Sequence, residues 1–152
     1  MTALGRGWTS LALAGAAAGL AACGGGGDKL SKSALVKEAN QICAEAQKAA
    51  NAVMPPASFT DSKAAAAYFD KIVPITDKET SDLADLKPAD DVKADWNAFV
   101  DSQKAANDLL NTVRDKTGSG DESGLRDLQR IPAAAQKVAA AASKVGATGC
   151  GG

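Results

Sequence analysis

The sequence predicts an all-α fold, an up-down bundle of four helices behind a cleaved signal peptide and a flexible glycine tether. Three observations point there. Apolar residues recur at alternating steps of three and four along four long stretches, the repeat that lines one side of a helix. Breaks separate those stretches: Pro55-Pro56, the corner Leu86-Lys87-Pro88, and the segment GSGDES at 118–123. Aromatic residues make up only 4% of the chain while alanine is abundant, so the core has to come from close helix contacts with few bulky anchors.

The first element is a leader. Residues 1–10, MTALGRGWTS, carry one cation, Arg6, and residues 11–22, LALAGAAAGLAA, form an uncharged apolar run. That run is shorter than the roughly 20 residues that cross a bilayer comfortably, so 1–22 reads as a secretory signal that is removed. Leu20-Ala21-Ala22 puts small residues at the cut, Cys23 follows, and Gly24 to Gly27 come next. The arrangement resembles the lipobox of bacterial lipoproteins. The resemblance implies that the Cys23 thiol carries diacylglycerol, that a further acyl chain such as palmitate joins it, and that Cys23 becomes the mature N-terminus. Each acyl chain contributes about 0.8 kcal/mol per buried methylene, and two chains hold where one does not. Residues 23–29 are then a tether, and the domain at 30–150 hangs from the extracytoplasmic face of the cell membrane. No cofactor beyond these covalent acyl chains is expected.

Ser31 is the expected N-cap of the first helix, with Leu30 and Leu35 placed as a hydrophobic staple. Leu35, Ala39, Ile42, Ala46, Ala49 and Val53 follow on one face, and the helix should stop at Met54. The second should start near Thr60 or Asp61 and run to about Lys87, carrying Phe69, Ile72, Val73, Thr76, Thr80, Leu83 and Leu86. Pro74 lies inside it. A proline there removes one backbone bond and costs about 3 kcal/mol, so a kink or break is expected, either as a bend or as the edge of a ligand cleft.

Pro88 is expected to open the third helix, where its missing N–H does no harm, with Asp90 and Asp91 in the first turn. Val92, Trp96, Phe99, Gln103, Ala106, Leu110 and Val113 keep the repeat without a slip to Thr117. The fourth should run from about Asp121 through Leu125, Leu128, Ile131, Ala135, Val138, Ala142 and Val145 to a C-terminal glycine, Gly146, with Pro132 disturbing its early turns.

With Cys23 lipidated, Cys43 and Cys150 remain, an even pair in an oxidising compartment, and a disulfide between them is expected. Closing a loop of that length is worth about 4.7 kcal/mol in the chain-entropy model. In an up-down bundle the fourth helix ends beside the start of the first. Cys43 lies about 18 Å further along that helix than Ser31, so the tail from Ala147 to Cys150 has to fold back.

The segments LSKSALVKEANQICAEA, YFDKIVPITDKETSDLADLKP and the terminal GATGC together resemble a group of small lipoproteins of high-GC Gram-positive bacteria. The resemblance covers essentially the whole mature chain, and its signature positions are Cys43, Pro74, the Leu86-Lys87-Pro88 corner and Cys150. It implies a helical envelope protein with a cysteine pair, and no particular activity.

Chemistry is sparse. The chain has no histidine, which removes Ser-His and Cys-His nucleophile pairs and the usual transition-metal ligands, and no enzyme is expected. Asp77, Glu79, Asp82, Asp85, Asp90, Asp91 and Asp95 make the middle acidic without a calcium-loop pattern, and they read as a solvated face. With 17 Lys+Arg against 18 Asp+Glu the chain is near neutral, so nucleic acid is not an expected partner. Tyr68, Phe69, Trp96 and Phe99 are core residues or, with Pro74 and Gln103, the lining of a small apolar pocket between the second and third helices. Two roles follow. One is a non-catalytic interaction or structural protein, held at the membrane by its lipid and presenting a surface to an envelope protein, polymer or lipid. The other is a carrier of a small apolar or amphipathic ligand.

Overall fold

The computed structural model describes residues 29–151. The signal peptide at 1–22, Cys23 and the glycines of the tether lie outside the described residues. Within them every regular element is helical: α1 (Lys32–Asn51), α2 (Ser62–Asp85), α3 (Lys93–Gly118), α4 (Ser123–Leu128), α5 (Ile131–Val145) and a closing 3-10 turn, Thr148–Cys150. The chain is all-α, a helical bundle. No helix of the described residues is long and apolar enough to cross a membrane.

Local chemistry sets the first two helices. The Ser31 hydroxyl accepts a hydrogen bond from the Ala34 amide at 3.4 Å, and Leu30 packs with buried Leu35 in the same core cluster. Asp61 caps α2 more fully, its Oδ1 accepting from the amides of Lys63 and Ala64 at 2.8 and 3.2 Å. The helix runs through Pro74 without breaking, and Pro74 itself is exposed.

The entry to α3 differs from the sequence expectation. Pro88 does not open the helix. The Leu30 amide donates to the Lys87 carbonyl at 2.6 Å and the Ala89 amide donates to the Leu30 carbonyl at 2.9 Å, which makes an isolated parallel bridge between Leu30 and Pro88. Those bonds hold the segment extended, so the helix begins only at Lys93 and its first-turn acid is Asp95 rather than Asp90 or Asp91. Asp90 instead pairs with Lys29, whose ammonium holds the Asp90 carboxyl below its ordinary range.

The expected fourth helix is two helices. The chain turns at Gln129 and Arg130, and Pro132 falls in the opening turn of α5, where a missing N–H leaves no intrahelical bond unmade. Asp127 ties α4 back to α3, accepting from Lys116 at 2.7 Å and from Arg130 at 3.0 Å. Gly146, with φ of 96°, ends α5 in the left-handed conformation that glycine adopts without strain.

Beyond Gly146 the tail turns back along α1. A side chain at Gly146 would lie 3.6 Å from Val36, and from Val36 to Cys43 is about 10 Å of helix at 1.5 Å per residue. Ala147 and the 3-10 turn together cover that rise. Gly149 donates its amide to the Asn40 side chain at 2.9 Å, and a Cβ there would sit only 2.8 Å from the same oxygen. At the end of the turn the sulfurs of Cys150 and Cys43 are 2.01 Å apart, a disulfide spanning 107 residues.

Bonds between α2 and α3 descend one helix as they climb the other: Thr76 and Asp77 reach Asn107, and Glu79 reaches Gln103. The pair is therefore antiparallel. Two core clusters result. One gathers Leu35, Leu83, Trp96, Phe99 and Val145 around the disulfide, and the other gathers Phe69, Ile72, Val73 and Val113 with Leu125 and Leu128 against it.

Candidate ligand-binding cavity

Between the two clusters the packing opens into a cavity of about 290 Å3. Each helix lines it at the three-four spacing that keeps residues on one face. From α1 come Cys43, Ala46, Gln47 and Ala50; from α2, Ile75, Thr76 and Glu79. From α3 come Gln103, Ala106, Leu109 and Leu110; from α5, Ile131, Ala134, Ala135 and Val138. The tail closes one side with Gly149, Cys150 and Gly151. Small side chains line the opening: Ala46, Ala50, Ala106, Ala134 and Ala135 each present a single methyl to it.

Besides Gln47 of α1, the polar groups converge from two helices. Gln103 Nε2 donates to Glu79 Oε1 at 3.4 Å across the α2–α3 contact. One turn away the Thr76 hydroxyl donates along its own helix to the Val73 carbonyl at 3.0 Å and lies 2.5 Å from Asn107 Oδ1, and the Asn107 amide donates to Asp77 at 2.5 Å. That network pins the two helices in register beside the cavity. Among the described residues that line the cavity, Glu79 is the sole ionisable side chain. Burial against these apolar walls pushes its carboxyl from 4.5 up to about 7, and the bond from Gln103 opposes the shift without cancelling it.

This raised pKa has a consequence for stability. Below about pH 4.5 Glu79 is protonated in the folded and unfolded chains alike, and it costs nothing. As pH rises from there through about 7, the unfolded chain ionises first and the folded chain holds its proton, so stability falls across that window. At about 1.4 kcal/mol per pKa unit, and discounting for solvent at the open side, the ionised carboxylate costs about 1–3 kcal/mol. Glu79→Gln is therefore expected to raise unfolding free energy by that amount at pH 8 and to leave it unchanged at pH 4. Urea unfolding of both proteins at the two pH values checks this; equal differences at both would mean that Glu79 is well solvated.

Of the six residues that the sequence marks for a pocket between the second and third helices, only Gln103 lines this cavity. Tyr68 and Phe69 belong to the second core cluster, with ring centroids 5.2 Å apart and Phe59 packed on both. Trp96 and Phe99 belong to the first, edge to face at 5.3 Å. In an antiparallel pair the early turns of α2 and the early turns of α3 sit at opposite ends, which keeps the two aromatic groups apart. Pro74 faces solvent one residue before the first lining position, Ile75. Among the acidic residues of the middle stretch, Asp77 and Asp82 are taken up by Asn107 and Lys78, and only Glu79 turns to the cavity. Among the described residues no three His, Cys, Asp or Glu side chains gather as a metal ion would require.

No protein-family model, no curated protein and no solved structure matches this chain.

Proposed function

We propose that this protein is a lipid-anchored, non-catalytic carrier or sensor that holds a small amphipathic ligand in the cavity between α1, α2, α3 and α5. The observation that carries the reading is the cavity itself: apolar on most sides, about 290 Å3, and supplied with one half-buried carboxylate and one amide at a single place. Ligand sites are concave, largely apolar and furnished with a few convergent polar groups, and this volume is at the lower edge of their range. The cost that Glu79 imposes on folding supports the reading too, since a destabilising ionisable group in an apolar wall is characteristic of working sites.

Anchoring at Cys23, membership of the lipoprotein group that the sequence resembles, and residence on the outer face of the cell membrane are parts of the same proposal. The Cys43–Cys150 pair supports them, because disulfides persist in oxidising compartments. An up-down order of four long rods, with α4 and α5 together forming the last, is supported by the antiparallel α2–α3 pair and by the return of the tail to α1.

The test pairs a neutral amphiphile with a variant that fills the cavity. Titration with 1-octanol is expected to shift amide resonances of the lining residues, and Ala106→Leu is expected to abolish the shifts while preserving the fold. Unchanged octanol binding in Ala106→Leu would remove the cavity from consideration. In its native cell, Cys23→Ser should move the protein from the membrane fraction to the medium; retention in the membrane would end the anchoring proposal.

A second reading, docking to an envelope partner, is favoured by the α1–α2 loop, where Met54 is 88% exposed and Phe59 37%. Two apolar side chains at a loop tip make a much smaller patch than interaction surfaces use. The cavity is the stronger observation.

A further inference from the structure

Resting on the carrier reading, the chemistry of the cavity also narrows the ligand. We propose that the ligand is a primary alkylammonium of on the order of ten non-hydrogen atoms, its head on Glu79 and Gln103 and its tail along the alanine-lined wall.

Size comes first. A water-sized group occupies about 30 Å3 of liquid, so a space of about 290 Å3 accommodates on the order of ten such groups. That suits a single short chain. The walls decide the tail: beyond Glu79, Gln103, Gln47 and Thr76 every lining side chain among the described residues is aliphatic, glycine or the disulfide, so the tail is apolar.

The head follows from the hydrogen-bond inventory. Gln103 places one of its two Nε2 protons on Glu79 Oε1, and Thr76 directs its hydroxyl to Val73 and Asn107. Among the described residues no donor reaches Glu79 Oε2 or Gln103 Oε1, and the donors left at the space, the second Nε2 proton of Gln103 and the Gln47 amide, are neutral, so nothing there answers the charge of Glu79. A carboxylate or phosphate head would bring more acceptors and a second negative charge. An alcohol brings one donor for two oxygens. An ammonium brings three donors and the opposite charge.

Charge points the same way. The residues lining the cavity supply no cation for Glu79 from α1, α3, α5 or the tail, where the polar neighbours are the neutral amides Gln47 and Gln103. The nearest cation in sequence on α2, Lys78, is committed to Asp82, with Glu45 of α1 adding to its field. A bound ammonium would replace the solvation that Glu79 loses on burial, and Glu79 would ionise on binding. Affinity for such a ligand should therefore rise with pH through about 7.

Three ligands with one tail test this: n-octylamine, 1-octanol and octanoate, titrated into the protein by calorimetry at pH 8 and pH 6. At pH 8 octylammonium is expected to bind at least tenfold more tightly than octanol, and octanoate most weakly. Going to pH 6 is expected to weaken octylamine about tenfold, as Glu79 has to give up its proton, and to leave octanol unchanged. Glu79→Gln should erase the preference for octylamine while octanol still binds, which also shows the variant to be folded. If octylamine binds no better than octanol, or keeps its advantage in Glu79→Gln, the head assignment is overturned and the carrier reading stands. If none of the three binds, both are overturned.

Discussion

Replacing both members of the disulfide, in the double variant Cys43→Ala/Cys150→Ala, is expected to lower the unfolding free energy by about 4 kcal/mol. The bond joins residues 107 apart and so closes almost the whole described chain into one loop. In the chain-entropy model a loop near one hundred residues is worth about 4.7 kcal/mol, and a little of that is recovered by relaxation of the tail. Domains of this size have about 5–15 kcal/mol in all, so the loss takes about a quarter or more of the total. The melting temperature should fall on the order of 15 °C.

The same variant has a second readout. Cys150 and its glycine neighbours form one side of the cavity, and without the bond the tail is held by the Gly149–Asn40 contact and by the packing of Ala147 and Gly151. Octanol affinity should fall along with stability. Thermal melts followed by circular dichroism, with and without the substitutions, decide the first point. A melting point within about 2 °C of the parent would show that packing alone holds the tail and that the bond constrains little.

Some of this architecture can be read from local sequence because it is decided locally. Ser31 and Asp61 cap their helices, and Gly146 ends α5, because each acts on backbone within a turn of itself. The start of α3 is decided elsewhere. Pro88 is well suited to open a helix, but Leu30, far back in the chain, takes the neighbouring backbone into a bridge, and no pattern within the segment registers that competition. The aromatics illustrate a related limit. Helical spacing places Phe69 and Trp96 on inward faces, yet the direction in which α2 meets α3 determines that they never touch.

Reading the cavity from sequence is harder because it consists of missing volume. Ala46, Ala106 and Ala135 read as good helix formers on an apolar stripe, and whether their small size allows close approach or leaves a gap depends on what stands opposite. One signal was present. Glu79 sits three residues after Thr76 and four before Leu83, on the stripe that those residues define, and a carboxylate in that register has to be buried or paired. Its acidic neighbours Asp77, Asp82 and Asp85 mask that register in the sequence.

Truncating the largest fully buried rings separates core from cavity, and Phe99→Ala is expected to cost about 3–5 kcal/mol. Phe99 is 0% exposed and Trp96, against which it packs, is 2% exposed. Around them the cluster draws Leu35 from α1, Leu83 from α2 and Val145 from α5, so removing the ring leaves a hole bounded by four helices that cannot all close in. In a chain with so few aromatic residues little else can take up that volume. Urea midpoints of parent and variant measure the loss, and a value under about 1 kcal/mol would mean that the ring is not a core anchor. Neither ring lines the cavity, so Phe99→Ala, wherever it remains folded, should bind octanol as the parent does. Ala106→Leu should do the reverse, sparing stability and abolishing binding. Because Cys43 and Cys150 lie in the same cluster as Phe99, combining that truncation with loss of the disulfide should depart from additivity by about 0.5–3 kcal/mol. Strict additivity would show the ring and the bond to be energetically separate, despite the core that they share.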